Sequence, residues 1–220
     1  MSGSNGSVPV SSSPASMPRR SNWKLFVILL VCAAPVAASY FTYYVIRPAG
    51  AGTNYGQLIE PQRPLPQAAA LAVTDLQGHP VDLQRVRGNW LLTMVEPSQC
   101  YESCRGKLYW MRQLKAAQGK DRDRIDRVWF VPDGGAVSSD LLSEYEGTVV
   151  LRASRAQLQA WLPAGDGTTI DDHLYLIDPM GNLMMRFPKN ADANKIKADL
   201  GKLLRASASW QVPRAPSLPA

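Results

Sequence analysis

Two cysteines four positions apart, Cys100 and Cys104, are the residues of this 220-residue chain best placed to do chemistry. They follow an apolar run and open a stretch of helical periodicity, which puts both near a helix N-terminus. On a regular helix, residues four apart have Cα atoms about 6.2 Å from each other. That is inside the span of a disulfide, near its upper end, and a strained, exposed bridge is a reducible one. The helix N-terminus, with Arg105 and Lys107 close by, favours the thiolate, and two thiolates on one face also form a soft chelate for Cu(I). The plainer alternative is a stabilising disulfide in an oxidising compartment, although closing so short a loop removes little chain entropy. Spacing alone leaves these alternatives open.

Only two histidines can join the pair. His79 lies in a Gly-containing turn and reads as a surface residue. His173 opens an apolar strand, either as a ligand or as a polar strand-start residue. Met180, Met184 and Met185 alternate with Leu183 and Phe187, the pattern of a half-buried hairpin rather than of a copper–thioether site. Glu96, beside Pro97, reads as an exposed loop carboxylate more readily than as a proton relay. Acids and bases alternate through Lys120-Asp121-Arg122-Asp123-Arg124, which describes a solvated face and no nucleic-acid footprint. No nucleotide loop, Ser-His-Asp set or clustered carboxylate pair stands out.

The elements that must position the cysteines follow from apolar patterning. Trp90–Val95 is an uninterrupted apolar run, suited to a central strand covered on both faces. Leu108, Met111, Leu114 and Ala117 recur at helical spacing until Gly119. Residues 71–76 and 81–83 read as two short strands about a turn, 127–131 and 149–151 as buried strands, and Ser154 as the N-cap of a helix carrying Leu158 and Trp161. His173–Asp178 and Leu183–Phe187 flank the turn Pro179-Met180-Gly181-Asn182, and Ile196, Leu200, Leu203 and Leu204 stripe a final helix. This order predicts an α/β domain with one sheet covered on both faces, over residues 68–204.

Outside that domain, residues 1–24 carry Arg19, Arg20 and Lys24 and no acid, half of the +6 net charge, on a Ser-, Gly- and Pro-rich tail expected to be disordered. Residues 25–46 run uncharged for about 22 positions, enough to cross a bilayer as one retained transmembrane helix. Aromatic residues beyond Ala38 argue against cleavage at Val36-Ala37-Ala38. The charge bias places the N-terminus in the cytoplasm and exports the rest. In this reading residues 47–67 are a Pro- and Gly-rich linker, 205–220 a flexible tail, and Cys32 a thiol within the lipid span.

The stretch Asp75–Leu83, then Arg87-Gly88-Asn89-Trp90 running on to Val95, then Cys100-x-x-x-Cys104, resembles the Sco/SenC family of cytochrome c oxidase assembly proteins; His173–Asn182 is similar to its second signature. The resemblance implies a thioredoxin-like fold tethered by one helix in the bacterial inner membrane, with the domain in the periplasm. It implies copper, as Cu(I), held by Cys100, Cys104 and His173, and the copper-site subunit of cytochrome c oxidase or other assembly factors as partners beside the lipid bilayer. Arg105 stands where the family usually has proline. The family's histidine aligns nearer Ile170, so His173 matches it only through a shortened loop. Two other functions remain open: a thiol–disulfide oxidoreductase without metal, and a degenerate scaffold in oxidase assembly.

Overall fold

The computed structural model describes residues 23–42, 44 and 54–210. The chain divides into two compact units, Met1–Gly52 and Thr53–Ala220. In the first, helix α1 spans Trp23–Phe41, 19 residues long and apolar enough to cross a membrane; at 1.5 Å per residue it measures about 28 Å. Cys32 is exposed on it and unpaired. Residues 1–22 and 211–220 of the expected tails, residues 43, 45 and 46 of the expected transmembrane helix and residues 47–53 of the expected linker lie outside the described residues.

The second unit is built on a seven-stranded mixed sheet. In chain order its strands are β1 (Gln57–Pro64), β2 (Val73–Thr74), β3 (Trp90–Val95), β4 (Ile125–Val131), β5 (Thr148–Ala153), β6 (Leu174–Ile177) and β7 (Asn182–Arg186). They lie in the order β1-β7-β6-β3-β4-β5-β2. β3, all six residues buried, is central: it pairs parallel with β4 and antiparallel with β6. Helix α2 (Glu102–Ala116) follows β3, α3 (Ser139–Glu144) and α4 (Arg155–Trp161) flank β5, and α5 (Ala193–Ala206) closes the unit.

Strand parity sorts the core into two layers. Leu92, Met94, Trp129, Leu174 and Leu176 face one way, against Leu108, Met111 and Leu114 of α2 and Ile196, Leu200 and Leu204 of α5. Leu91, Val95, Phe130, Tyr175 and Ile177 face the other, against Leu158 and Trp161 of α4. The buried positions of α2, Cys104, Leu108, Met111 and Leu114, lie along one stripe, which fixes its rotation on the sheet. Full burial of Leu108 and Met111 contributes about 1.5–3 kcal/mol each.

Three expectations are corrected. The linker drawn over 47–67 contains an edge strand, because β1 pairs antiparallel with β7 and buries Ile59, and Leu65 just after it is buried too. Its start is fastened to α5: the Asp199 carboxylate, 1% exposed, accepts from the amides of Tyr55 at 2.7 Å and Gly56 at 2.9 Å. The expected strand at 81–83 shrinks to a single bridge between Thr74 and Pro80 and then a 3-10 turn over Leu83–Val86, capped by Asp82. Nor does the tail begin at 205, since Ser207 is buried and accepts from Trp90 Nε1 at 3.0 Å, while Trp210 stacks on Trp90.

Candidate functional site

Cys100 and Cys104 are joined in a disulfide with Cα atoms 5.1 Å apart. The regular-helix estimate was too long because Cys100 lies outside the helix: α2 starts at Glu102, Tyr101 is its N-cap, and only Cys104 has helical neighbours on both sides. Tyr101 makes no side-chain cap hydrogen bond, so the first amides of α2 remain available to a negative charge at the cysteines. Cys100 is 8% exposed and Cys104 1%. An incoming sulfur therefore meets Cys100 first.

The loop from β3 to Cys100 is pinned on both sides. Trp129 Nε1 donates to the Glu96 carbonyl at 2.9 Å. The Ser98 amide donates to Asp133 Oδ2 at 3.0 Å, and the Gly135 amide to Asp133 Oδ1 at 2.9 Å. Against the raising effect of burial, these contacts with Ser98 and Gly135 hold the Asp133 carboxyl below its ordinary value. A Cβ at position 135 would stand 2.1 Å from Ser98 Oγ, so glycine is what allows the two loops to meet.

Glu96 is not the exposed carboxylate expected from its loop position; it is 6% exposed. Burial pushes its carboxyl up, partly offset by Lys107, whose Nζ lies 2.6 Å from Oε1. The same ammonium donates to the Asp171 carbonyl. Lys107 thus ties the start of the cysteine loop, α2 and the segment before β6 at one point. Nothing local in sequence signals this pair, which joins residues eleven positions apart on different elements. Beside it, Glu96, Ser103, Lys107, Trp110, Asp172 and Lys189 are among the residues lining a cavity of about 370 Å³.

Among the described residues, His173 is not grouped with the two cysteines in an arrangement able to hold a metal. It is 3% exposed, and its ring lies 6.1 Å from that of Tyr175, edge to face. By strand parity it belongs with Tyr175 and Ile177 on the face away from α2. Nδ1 is 2.8 Å from the Phe187 carbonyl, so it carries the hydrogen and donates; Nε2 is 2.7 Å from Thr168 Oγ1. Burial pushes the imidazole below its ordinary value despite the Phe187 contact. With both nitrogens engaged inside the protein, a Cys100, Cys104 and His173 ligand set does not fit a copper ion. Among the described residues no group of three or more His, Cys, Asp or Glu side chains is arranged to hold a metal. His79 is an exposed turn residue, its Nδ1 3.0 Å from Asp75 Oδ2.

The family model for transmembrane-like, thioredoxin-like C-terminal domains matches residues 90–207. No curated protein matches. Among solved structures, the apo Sco1 protein from Thermus thermophilus is 18% identical with a TM-score of 0.51, covering 71% of this chain and 100% of that one. Copper-bound ScoI from Bradyrhizobium japonicum is 22% identical, with a TM-score of 0.45 over 60% of this chain and 96% of that one. Copper-bound ScoI from Arabidopsis thaliana is 15% identical, with a TM-score of 0.48 over 69% and 99%. At these identities the likeness speaks for the fold. Matched over more than half of its length, the chain belongs to the transmembrane-like, thioredoxin-like C-terminal domain family, and in fold it is a divergent relative of Sco1.

Proposed function

We propose that this chain is a membrane-anchored, Sco-like assembly factor for cytochrome c oxidase that acts by thiol–disulfide exchange, reducing the paired cysteines of the oxidase copper-site subunit. The observation that carries the reading is the disulfide at the open N-terminus of α2, both of its cysteines buried and Cys100 the more exposed of the two, 8% against 1%. In the reduced protein the Cys100 thiolate attacks a client disulfide, forming a mixed disulfide and releasing one client thiolate. Cys104 then gives up its proton and attacks the Cys100 sulfur, closing the internal disulfide and releasing the second client thiolate. Two electrons pass to the client, and an external dithiol donor returns them. Copper enters only as cargo: Cu(I) would be held by the two thiolates alone, because His173 is committed elsewhere. The charge bias and α1 support a periplasmic domain behind a bacterial inner-membrane anchor.

The test uses reduced full-length protein in detergent and an oxidised peptide bearing two cysteines. Thiol mapping should find the peptide reduced and Cys100–Cys104 oxidised, and Cys104→Ser should trap the peptide on Cys100. Trapping on position 104 in Cys100→Ser at an equal rate, or no exchange at all, refutes the reading.

A further inference from the structure

Strand β4 carries a charge into the layer between the sheet and α2. Arg127 is 5% exposed. Its Nη2 donates to the Glu146 carbonyl, but Nε and Nη1 find no acceptor among the described residues. Directly across the parallel ladder from it stands Thr148, 9% exposed, whose Oγ1 is likewise without a partner among the described residues. Partners in register project to the same face, and the parity of Ile125 and Trp129 makes it the α2 face.

A second guanidinium completes the cluster. Arg112, on α2, donates through Nη1 to the Glu144 carbonyl at 3.0 Å, and its Cζ lies 5.2 Å from the centre of the Tyr145 ring. Arg112 and Arg127 repel each other, which adds to the cost of burying Arg127. Of the neighbouring carboxylates, Asp126 attracts Arg127 but bonds elsewhere, accepting from Asn89 at 2.9 Å and lying 3.8 Å from Lys115, and Glu144 lies 3.7 Å from Arg105. Gly147 covers the cluster in a left-handed conformation, φ +76°, and a Cβ there would stand 3.3 Å from Arg127 Nη2. A buried cation with free donors, a second cation and an unspent hydroxyl are together costly unless an anion meets them. The unspent guanidinium and hydroxyl donors of Arg127 and Thr148, neighbours across the ladder, with Arg112 near enough to repel Arg127, suit an acceptor with several oxygens.

We propose that Arg127, Thr148 and Arg112 form a binding site for a tetrahedral oxyanion of the phosphate class, supplied as the free ion or as the phosphate of a lipid headgroup. Full-length protein in neutral phosphatidylcholine vesicles is melted at fixed ionic strength with increasing inorganic phosphate, and separately with phosphatidic acid in the bilayer. The midpoint should rise with one of the two probes: a rise with inorganic phosphate assigns the free ion, and a rise confined to phosphatidic acid assigns the headgroup. Thr148→Val, which keeps the shape, and Arg112→Gln should each weaken the response at least about tenfold in apparent Kd, and Arg127→Met should abolish it. If Arg127→Met does not fold, the other two variants carry the test. No rise with either probe, or an undiminished rise in both Thr148→Val and Arg112→Gln, overturns the site.

Discussion

Replacing Lys107 by methionine should be the most costly single charge change in the domain, and the reason lies in what it leaves behind. The Lys107–Glu96 pair is 2.6 Å long with side chains 19% and 9% exposed, so solvent screens it little. Removing one member of such a pair strands the other, at about 3–5 kcal/mol, and Lys107→Met also orphans the Asp171 carbonyl. Glu96→Gln removes the charge instead and should cost about 1–2 kcal/mol, because an amide still fills the space and accepts from Lys107. With Glu96 already Gln, the step from Lys107 to Met should cost less than it does in the wild type. The acid titration gives a second readout. Burial raises the Glu96 carboxyl in the folded state, so its contribution is fully present below the unfolded value and is lost as pH rises through the folded one. Lys107→Met should enlarge that loss, and Glu96→Gln should abolish it. Denaturant unfolding of the full-length protein in detergent, from pH 4 to 8, measures both. A Lys107→Met cost under about 1 kcal/mol at pH 7, the value of an exposed pair, would refute the reasoning.

In the reduced protein, alkylation should modify Cys100 well before Cys104, following their exposures of 8% and 1%; equal rates by mass spectrometry would contradict the order of attack. His173→Ala should lower stability by about 1–3 kcal/mol through the unpaired Phe187 carbonyl, yet leave Cu(I) affinity within about twofold of wild type. Since burial depresses the His173 imidazole, its contribution is lost as pH falls below the unfolded value of 6.5, and His173→Gln should flatten that part of the stability curve. Gly56→Ala would set a Cβ 2.3 Å from Met185 Sδ, and overpacking of this kind should cost about 1–3 kcal/mol in denaturant unfolding.

What could be read in advance was what repeats locally. Trp90–Val95 announces a central strand because every residue is apolar, and Leu108, Met111 and Leu114 announce the helix after the cysteines because they share a face. β1 escaped because its sequence, QLIEPQRP, exposes most of its residues and has two prolines, which an edge strand tolerates. Proximity to β7, more than a hundred positions away, is what makes it a strand. That Cys100 and Cys104 could bridge was legible from their spacing, but spacing did not say what the bridge does. His173 was placed at the right end of the right strand, but its side depends on parity counted from Leu174, which packs with the cysteines, and on which face α2 covers. Glu96, Arg127 and Asp199 acquire their burial from partners on other elements, so no window of sequence contains the signal.

Both sulfurs belong to the same packed layer as Trp90, Met111 and Leu200. Folding and electron transfer are therefore two sides of one thermodynamic square: whatever the oxidised fold gains over the reduced one must reappear as resistance of the bridge to reduction. For a two-electron couple, about 1.4 kcal/mol corresponds to about 30 mV. A methyl group trimmed from the packing under α2, with no contact to sulfur, would then retune the potential at which the bridge opens, provided the two redox forms feel the loss unequally. The reducing power of this domain is in that sense a property of its interior, distributed over side chains that never meet a client.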